Sequence, residues 1–329
     1  MKYSFIVPVY NRPDEVEELL ESLCRQPVAD FEVIVVDDGS TIPCRDVAER
    51  YKGRLDLHYY EKPNSGPGQT RNYGVERSRG EYVLILDSDV VVPPGYLEAI
   101  EAELRESPCD AFGGPDRAHA SFTPMQKAIN YAMTSFFTTG GIRGGKKKMD
   151  KFYPRSFNMG VRAEVYRQLG GFSEMRFGED IDFSTRIFKG GYRCRLFPEA
   201  WVWHKRRTDL RKFFKQVHNS GIARINLTKR HPGTLKAVHL LPAAFTTGCA
   251  ILLLCTPFCL WCLLPLLLFA ALIATDAACR EKSLYVGILA VAAAYVQLVG
   301  YGSGFLRAWW ERYVLGLGEF DAFRKNFYN

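Results

Sequence analysis

Two long stretches without charged side chains dominate the C-terminal third of this 329-residue chain. Residues 240–275 and 284–306 contain no Asp, Glu, Lys or Arg. The first stretch has 36 residues, more than the ~20 that one transmembrane helix needs. Pro257 near its middle indicates a break, as in a tight hairpin of two short helices. We therefore predict an α-helical membrane region over 239–306 with two or three transmembrane helices, followed by an amphipathic tail over 307–329.

A strongly basic segment comes directly before this region. Residues 204–236 hold ten Lys or Arg against one acidic residue, Asp209, and their apolar residues fall near helical spacing. This pattern predicts a basic amphipathic interfacial helix or linker over 206–238, lying against an anionic leaflet on the cytoplasmic side. The chain opens on a strand-like run and not on a signal-like one, so we expect the residues before this helix to stay in the cytoplasm. The net charge of +7 is too mild to indicate a nucleic-acid partner.

The N-terminal half alternates short apolar runs with helical patterns. Strand-like runs occupy residues 3–9, 31–36, 55–60 and 81–86, and helical patterns lie between them. This alternation predicts an α/β fold with a mixed sheet flanked by helices. In such sheets, ligands bind beyond the carboxyl ends of the strands, which makes the polar residues after each run the candidates for a site.

Charged residues stand at several of these strand ends. Asp87 and Asp89 are separated by one residue and offer hard oxygen ligands to Mg2+ or Mn2+, which would hold a diphosphate. Asp38 is suited to accept an N–H of a nucleotide base, and Arg71 at a helix start is suited to contact pyrophosphate oxygens. Each motif alone is also typical of a turn or a helix cap.

Together these motifs resemble glycosyltransferase family 2, whose members have the GT-A fold. The resemblance covers about residues 3–205 and includes an Asp-x-Asp motif followed downstream by a Glu-Asp motif. Its downstream part is carried by Asn158-Met159-Gly160-Val161, Gly170-Gly171-Phe172 and Gly178-Glu179-Asp180-Ile181-Asp182. The whole chain resembles the membrane-tailed bacterial subgroup of exopolysaccharide and cell-surface glycan enzymes.

The resemblance implies roles for individual residues. Asp180 would be the catalytic base that deprotonates the acceptor hydroxyl, Glu179 would orient the acceptor, and Asp182 is the local competitor for the base. Mg2+ or Mn2+ would be held by Asp89, Asp87 and His204. The nucleotide sugar would be bound by Pro8, Tyr10, Asn11, Asp38, Gly66, Arg71 and Asp87.

The implied reaction is the inverting transfer of one sugar from a nucleotide-diphosphate sugar, with UDP-sugar favoured, to a lipid-linked or glycan acceptor. A GT-A domain over 1–205 would face the cytoplasm from the inner membrane. The Gln-x-x-Arg-Trp motif of processive synthases is absent from the sequence, which favours addition of a single sugar.

Two other functions remain open from the sequence. One is a membrane-attached sugar-nucleotide nucleotidyltransferase, although Gly66 and Gly68 follow the third strand and that class carries its Gly-rich loop after the first. The other is a catalytically inactive GT-A scaffold. The glycine- and lysine-rich loop at 140–148 is either a solvated surface loop or a mobile lid over a phosphate-bearing substrate.

Overall fold

The protein is described by a computed structural model. The structure describes residues 1–28, 30–117, 122–140, 152–175, 177–205 and 208–319. Among these residues, two compact units are formed, one by 1–117 with 152–205 and the other by 122–140 with 208–319. The predicted loop at 140–148 and the end of the predicted tail lie almost entirely outside the described residues.

The first unit is built on two sheets. Their strands are β1 (Tyr3–Val9), β2 (Phe31–Asp37), β3 (Leu57–Glu61), β4 (Tyr82–Leu86), β5 (Val90–Val91), β6 (Ala111–Gly113), β7 (Asp116–Arg117), β8 (Asn158–Arg162), β9 (Cys194–Leu196) and β10 (Val202–His204). The main sheet has the order β3-β2-β1-β4-β8-β6-β9, and β8 is the one strand antiparallel to its neighbours. The predicted mixed α/β sheet is confirmed.

Twelve α-helices occur among the described residues. They are α1 (Pro13–Leu23), α2 (Arg45–Tyr51), α3 (Pro67–Val75), α4 (Tyr96–Glu106), α5 (Pro124–Thr134), α6 (Phe136–Thr139), α7 (Ala163–Gln168), α8 (Glu179–Lys189), α9 (Leu210–Arg230), α10 (Leu241–Cys255), α11 (Leu264–Glu281) and α12 (Leu284–Trp309). Two short 3-10 helices, at Ala237–His239 and Leu260–Leu263, flank α10, and a π-helix at Trp310–Val314 continues α12.

The central strands are buried on both faces of the sheet. Successive residues of a strand point to opposite faces, so Phe5 and Val35 pack in one apolar cluster while Ile6 and Ile34 pack in another. All seven residues of β1 and of β2 are buried. This two-sided core aligns the carboxyl ends of β1, β2 and β4 at one edge, where their polar residues follow.

A small second sheet places a histidine beside the end of β4. Its order is β5-β10-β7, and β10 runs antiparallel to β5 with His204 opposite Val90 and Trp203 opposite Val91. Because β5 begins directly after Asp89, this pairing carries His204 back to the Asp-x-Asp motif.

The second unit contains three helical segments that are long and apolar enough to cross a membrane. They are Ala237–Cys255, Leu260–Glu281 and Leu284–Val314. The break near Pro257 falls where it was predicted, since α10 ends at Cys255 and α11 begins at Leu264. This arrangement fits the predicted α-helical membrane region.

The expectation of a tight hairpin between α10 and α11 is wrong. The Thr246 hydroxyl of α10 donates to the carbonyl oxygen of Leu298 (3.3 Å), and a methyl group added at Gly302 would meet Pro242, so α10 runs antiparallel to α12. The Tyr295 hydroxyl of α12 donates to the carbonyl oxygen of Leu266 in α11 (2.8 Å). Further along α11, Ala274 faces Gly287, so α11 is antiparallel to α12 as well. Both α10 and α11 therefore run in the same direction along α12.

The basic segment forms α9, and its apolar stripe is covered by protein. Phe213 and Val217 are buried in one cluster with residues of α5, α11 and α12, while the cations Arg211 and Lys215 stay exposed. The sequence pattern identified the amphipathic helix but did not identify its partner. Residues 122–140, which the predicted 1–205 domain included, also pack in this second unit.

Glycines allow α9 and α12 to approach closely. A methyl group at Gly304 would overlap the carbonyl oxygen of His218, and one at Gly221 would overlap the carbonyl oxygen of Tyr301. Small residues at a helix crossing allow such backbone contact in membrane proteins.

We expect Gly304→Ala to lower the free energy of unfolding by about 1–3 kcal/mol, because the helices must separate to accept the methyl group. Thermal denaturation of the full chain in detergent would measure this. Gly248→Ala is the matched control, since a methyl group at Gly248 in α10 meets no atom within 4 Å. An equal loss of thermal stability in both variants would contradict the role of the close crossing.

Candidate active site

Asp38 holds the loop that follows β3. The carboxylate is 1% exposed and accepts hydrogen bonds from the backbone N–H groups of Ser65 (2.9 Å) and Gly66 (2.8 Å) and from Lys62 Nζ (2.8 Å). Gly66 has φ +87°, a left-handed conformation that favours glycine, and it stands at the N-cap of α3. The structure therefore gives Asp38 a loop-holding role beside its predicted contact with the base.

Asn11 holds the neighbouring loop after β2. Its side-chain oxygen accepts from the backbone N–H groups of Thr41 (2.8 Å) and Ile42 (2.9 Å), and its own backbone N–H donates to Ser40 Oγ (2.8 Å). Pro8 lies within β1 opposite Val36, and Tyr10 is partly buried just beyond the strand.

A polar cavity of about 380 Å3 opens at the carboxyl ends of β2 and β3. Asp37, Ser40, Glu61 and Lys62 are among the residues that line it. Asp38 and Asn11 fix loops beside this cavity, but none of the residues predicted to bind the nucleotide lines it.

Arg71 joins the ends of three elements. From the first turns of α3, its guanidinium donates to Asp87 Oδ1 (2.6 Å) and to Glu179 Oε1 (3.1 Å), and the side chain is 4% exposed. Burial lowers the pKa of Arg71, but the charges of Asp87 and Glu179 outweigh burial and hold that pKa above its ordinary value. Arg71 Nε is buried and has no hydrogen-bond partner among the described residues. The predicted donor-side and acceptor-side carboxylates thus share one cation.

Asp87, Asp89 and His204 form a group suited to a divalent cation. One ligand atom from each lies within 4.8 Å of the others. His204 Nε2 is 3.2 Å from Asp89 Oδ1, and Arg12 approaches Asp89 Oδ2 at 3.3 Å. Two carboxylates and one imidazole are a donor set that fits a catalytic divalent metal with positions left for substrate oxygens.

A second group of similar composition lies at the opposite edge of the sheet. Glu32, Asp56 and His58 are also close together, but Glu32 and Asp56 stand at the amino ends of β2 and β3. Arg79 donates to both carboxylates, at 2.8 Å in each case, so a protein cation already balances their charge. This group has the character of a structural ion-pair network.

The Glu-Asp motif begins α8. Gly178, with φ +86°, forms the N-cap, and Asp180 Oδ1 accepts from the backbone N–H of Ile181 (2.8 Å). Asp180 Oδ2 accepts from Arg155 Nε (2.6 Å). Asp182 is used differently, because its Oδ2 accepts from Ser173 Oγ (2.7 Å) and from Arg186 Nε (2.9 Å) and so ties α8 to the preceding loop.

The two adjacent carboxyl groups have opposite pKa shifts. Burial raises the pKa of Asp180, but the Arg155 guanidinium outweighs burial and holds that pKa below its ordinary value. Burial and the negative charge of Asp180 raise the pKa of Glu179, and Arg71 offsets only part of this. Neighbouring carboxyl groups with separated pKa values are common where acid and base roles are divided.

Three charged residues of the site were missed by sequence reasoning. Arg155 contacts Asp180, Lys62 contacts Asp38, and Arg12 contacts Asp89. The position of Arg12 one residue after Asn11 at the end of β1 was an available signal. For Arg155 the sequence offered no such signal, because this residue lies in an irregular segment before β8.

We expect Arg155→Gln to move the acid limb of the kcat/KM profile to higher pH. A base must be deprotonated to act, and removing the guanidinium raises the pKa of Asp180, so a higher pH is needed to ionise it. Arg155→Lys keeps the positive charge and should keep the limb near its original position. An acid limb that does not move in Arg155→Gln would contradict the electrostatic role of this pair.

The chain belongs to glycosyl transferase family 2, whose family model matches residues 4–170. Together with the sheet order described above, this membership agrees with a GT-A fold for residues of the first unit. The resemblance seen in the sequence is thereby confirmed.

Two curated relatives are similar over part of the chain. Poly(ribitol-phosphate) beta-N-acetylglucosaminyltransferase TarS from Staphylococcus aureus is 40% identical over 114 residues, which cover 33% of this chain and 20% of TarS. Pre-mycofactocin glycosyltransferase from Mycobacterium tuberculosis is 30% identical over 231 residues, which cover 69% of this chain and 47% of that protein. The chain thus spans between a fifth and a half of the length of these relatives.

Two solved structures are similar to the fold. Mannosyltransferase PcManGT from Pyrobaculum calidifontis, in complex with GDP-Man and Mn2+, superposes with a TM-score of 0.65 at 20% identity, covering 94% of this chain and 88% of that one. TarS residues 1–349 in complex with UDP-GlcNAc give a TM-score of 0.51 at 20% identity, covering 96% of this chain and 92% of that one. At this identity the likeness shows the shared fold.

Proposed function

We propose that this protein is an inverting, metal-dependent glycosyltransferase that moves one sugar from a nucleotide-diphosphate sugar to a lipid-linked glycan acceptor by single displacement. The observation that carries the proposal is the position of Arg71 between Asp87 and Glu179. Through this buried guanidinium, the candidate metal group is joined to Glu179 and its neighbour Asp180, as a direct transfer between two bound substrates requires.

On the donor side, the chain offers a polar cavity and a preformed loop. Gly66 and Arg71 belong to the start of α3, where backbone N–H groups and the guanidinium favour phosphate oxygens. Mg2+ or Mn2+ held by Asp87, Asp89 and His204 would neutralise the diphosphate and stabilise the charge that develops on the leaving group. A UDP-sugar is favoured over a GDP-sugar because TarS, seen with UDP-GlcNAc, is also similar in sequence.

On the acceptor side, Asp180 takes the proton of the attacking hydroxyl. Its ion pair with Arg155 keeps the carboxylate ionised, and a charged base is ready to accept a proton without first losing one. Glu179, neighbouring it in the first turn of α8, orients the acceptor. Asp182 ties α8 to the preceding loop through Ser173 and Arg186. Asp180 instead adjoins Glu179, which Arg71 links to the candidate metal group, and this position favours Asp180 for the base.

The apolar helices support membrane attachment, and the basic residues of α9 support a cytoplasmic face. We place the protein in the inner membrane, with the 1–205 domain facing the cytoplasm and residues 206–238 at the membrane surface. Cysteines introduced into this basic segment should resist an impermeant reagent in intact cells. Ready labelling from outside would contradict this orientation.

The test is transfer by the full chain in detergent, with a panel of sugar nucleotides, lipid-linked acceptors and Mn2+. We expect release of a nucleoside diphosphate and a product whose anomeric configuration, read by NMR, is opposite to that of the donor. A retained configuration would contradict the single displacement. Pyrophosphate release from a nucleoside triphosphate and a sugar phosphate would identify a nucleotidyltransferase, and no turnover with any donor would favour an inactive scaffold.

A further inference from the structure

An apolar groove of about 440 Å3 lies within the second unit, in the size range of ligand pockets, about 300–1,000 Å3. Three helices and the short turn before α10 form it. Ile225 of α9, Ala244 and Thr247 of α10, and Phe305 and Trp309 of α12 are among its lining residues. The lining is almost wholly apolar, and Phe305, with 4% of its surface exposed, forms part of a packed floor.

Three cations lie next to lining residues of this groove, in space or along the chain. Lys229 Nζ lies 4.8 Å from the centre of the ring of Tyr313, a lining residue, and donates to the carbonyl oxygen of Arg312 (2.9 Å). Arg224 and Lys236 adjoin the lining residues Ile225 and Leu235 in the chain. Both are close enough to His239 for their charges to act on its imidazole.

The positive charge here exceeds the negative charge that could balance it. Arg307 pairs with Glu311, and Arg230 pairs with Glu319. Lys229, Lys236 and Arg224 form no ion pair with any residue that the structure describes. Arg224 Nε is buried and, within the same described part of the chain, has no hydrogen-bond partner. An anion bound beside these cations would supply the missing ion-pair partner.

We propose that this groove binds the phosphate-bearing lipid of the acceptor, with the hydrocarbon chain along the apolar lining and the phosphate against Arg224, Lys229 and Lys236. This rests on the proposed function, which it deepens by naming the surface that recognises the acceptor. An apolar groove alone would not select a lipid, because bilayer chains are equally apolar. Selection therefore comes from the phosphate, and the groove gives the chain a defined path.

The experiment measures binding of hexadecyl phosphate and of hexadecanol to the full chain in neutral detergent, by native mass spectrometry. Ala244→Trp fills the groove, and Ala250→Trp places the same side chain on an exposed position of α10 that does not line it. We expect Ala244→Trp to weaken hexadecyl phosphate binding about tenfold or more, with Ala250→Trp unchanged. Equal binding by both variants would overturn the proposal.

The charge is tested separately, so that misfolding of the tryptophan variant does not decide the outcome. Lys229→Gln should weaken hexadecyl phosphate binding about fivefold and leave hexadecanol binding unchanged, since one cation near a membrane surface contributes on that order. Lys215→Gln, an exposed cation of α9, is the matched control. Equal loss in Lys229→Gln and Lys215→Gln would show a general charge effect and overturn the site.

Competition with phosphatidylglycerol distinguishes the acceptor lipid from bulk anionic lipid. We expect a large excess of phosphatidylglycerol to be needed to displace hexadecyl phosphate, and displacement at equal concentration would overturn the proposal.

Release of a nucleoside diphosphate by the wild type reports on the proposed function independently of lipid binding. If transfer to lipid acceptors proceeds but has the same KM in Ala244→Trp as in the wild type, the groove is wrong and the function stands. If no donor is turned over while the lipid still binds, the function fails alone.

Discussion

Asp180→Asn is expected to lower kcat by about 10²–10⁴-fold while nucleotide-sugar binding stays near normal. The substitution keeps the shape of the side chain and removes its basicity. The loss falls on kcat because the proton of the acceptor hydroxyl is transferred in the chemical step, after both substrates are bound. Single-turnover kinetics with a separate measurement of nucleotide-sugar affinity would separate the two effects.

Asp182→Asn is the matched control. Its carboxylate accepts from Ser173 and Arg186 and is 2% exposed, so the amide should lower thermal stability and leave most of kcat. The opposite pattern, with turnover lost in Asp182→Asn and kept in Asp180→Asn, would make Asp182 the base. Circular dichroism of each variant would show that any loss of turnover is not a loss of fold.

Asp89→Ala is expected to reduce turnover by at least about a hundredfold, since it removes one of two carboxylates in the candidate metal group. Calorimetric titration with Mn2+ in the presence of a nucleoside diphosphate should show weaker metal binding in this variant. In the wild type, excess EDTA should remove activity and Mn2+ should restore it.

Asp56→Ala provides the control for Asp89→Ala. It removes an aspartate from the other carboxylate–histidine group, where Arg79 supplies the positive charge, and it should leave Mn2+ binding and kcat unchanged. Full activity of Asp89→Ala in excess EDTA would contradict the metal assignment.

The position of the site followed from rules that act locally. Parallel strands with two buried faces show as apolar runs, and their carboxyl ends meet at one edge. This rule placed Asp38 and Asp87 at the same edge of the sheet, but it did not predict the contact between Arg71 and Asp87. His204 reaches Asp89 only through the pairing of β10 with β5, a two-residue strand too short to leave a pattern. The sequence analysis placed His204 in the site from the family resemblance alone.

The contacts that sequence reasoning missed are long-range pairings of charge or of apolar surface. Arg155 lies in an irregular segment, so neither periodicity nor spacing pointed to Asp180 as its partner. The apolar stripe of α9 predicts that apolar groups cover one face of the helix. Both a lipid leaflet and the small-residue face of α12 satisfy this pattern, and the sequence analysis chose the leaflet. Residues 122–140 were included in the 1–205 domain because the family resemblance covers about residues 3–205.

The shared direction of α10 and α11 bears on how often the chain crosses a bilayer. Arg230 at the end of α9 pairs with Glu319, and Lys229 contacts Arg312, so the segments on either side of the apolar helices meet. Two segments in contact outside the bilayer lie on the same side of it, which requires an even number of traversals between them. We therefore propose that α10 and α11 share one traversal of the bilayer, that α12 makes the return, and that the turn at Lys282 and Ser283 lies on the far side.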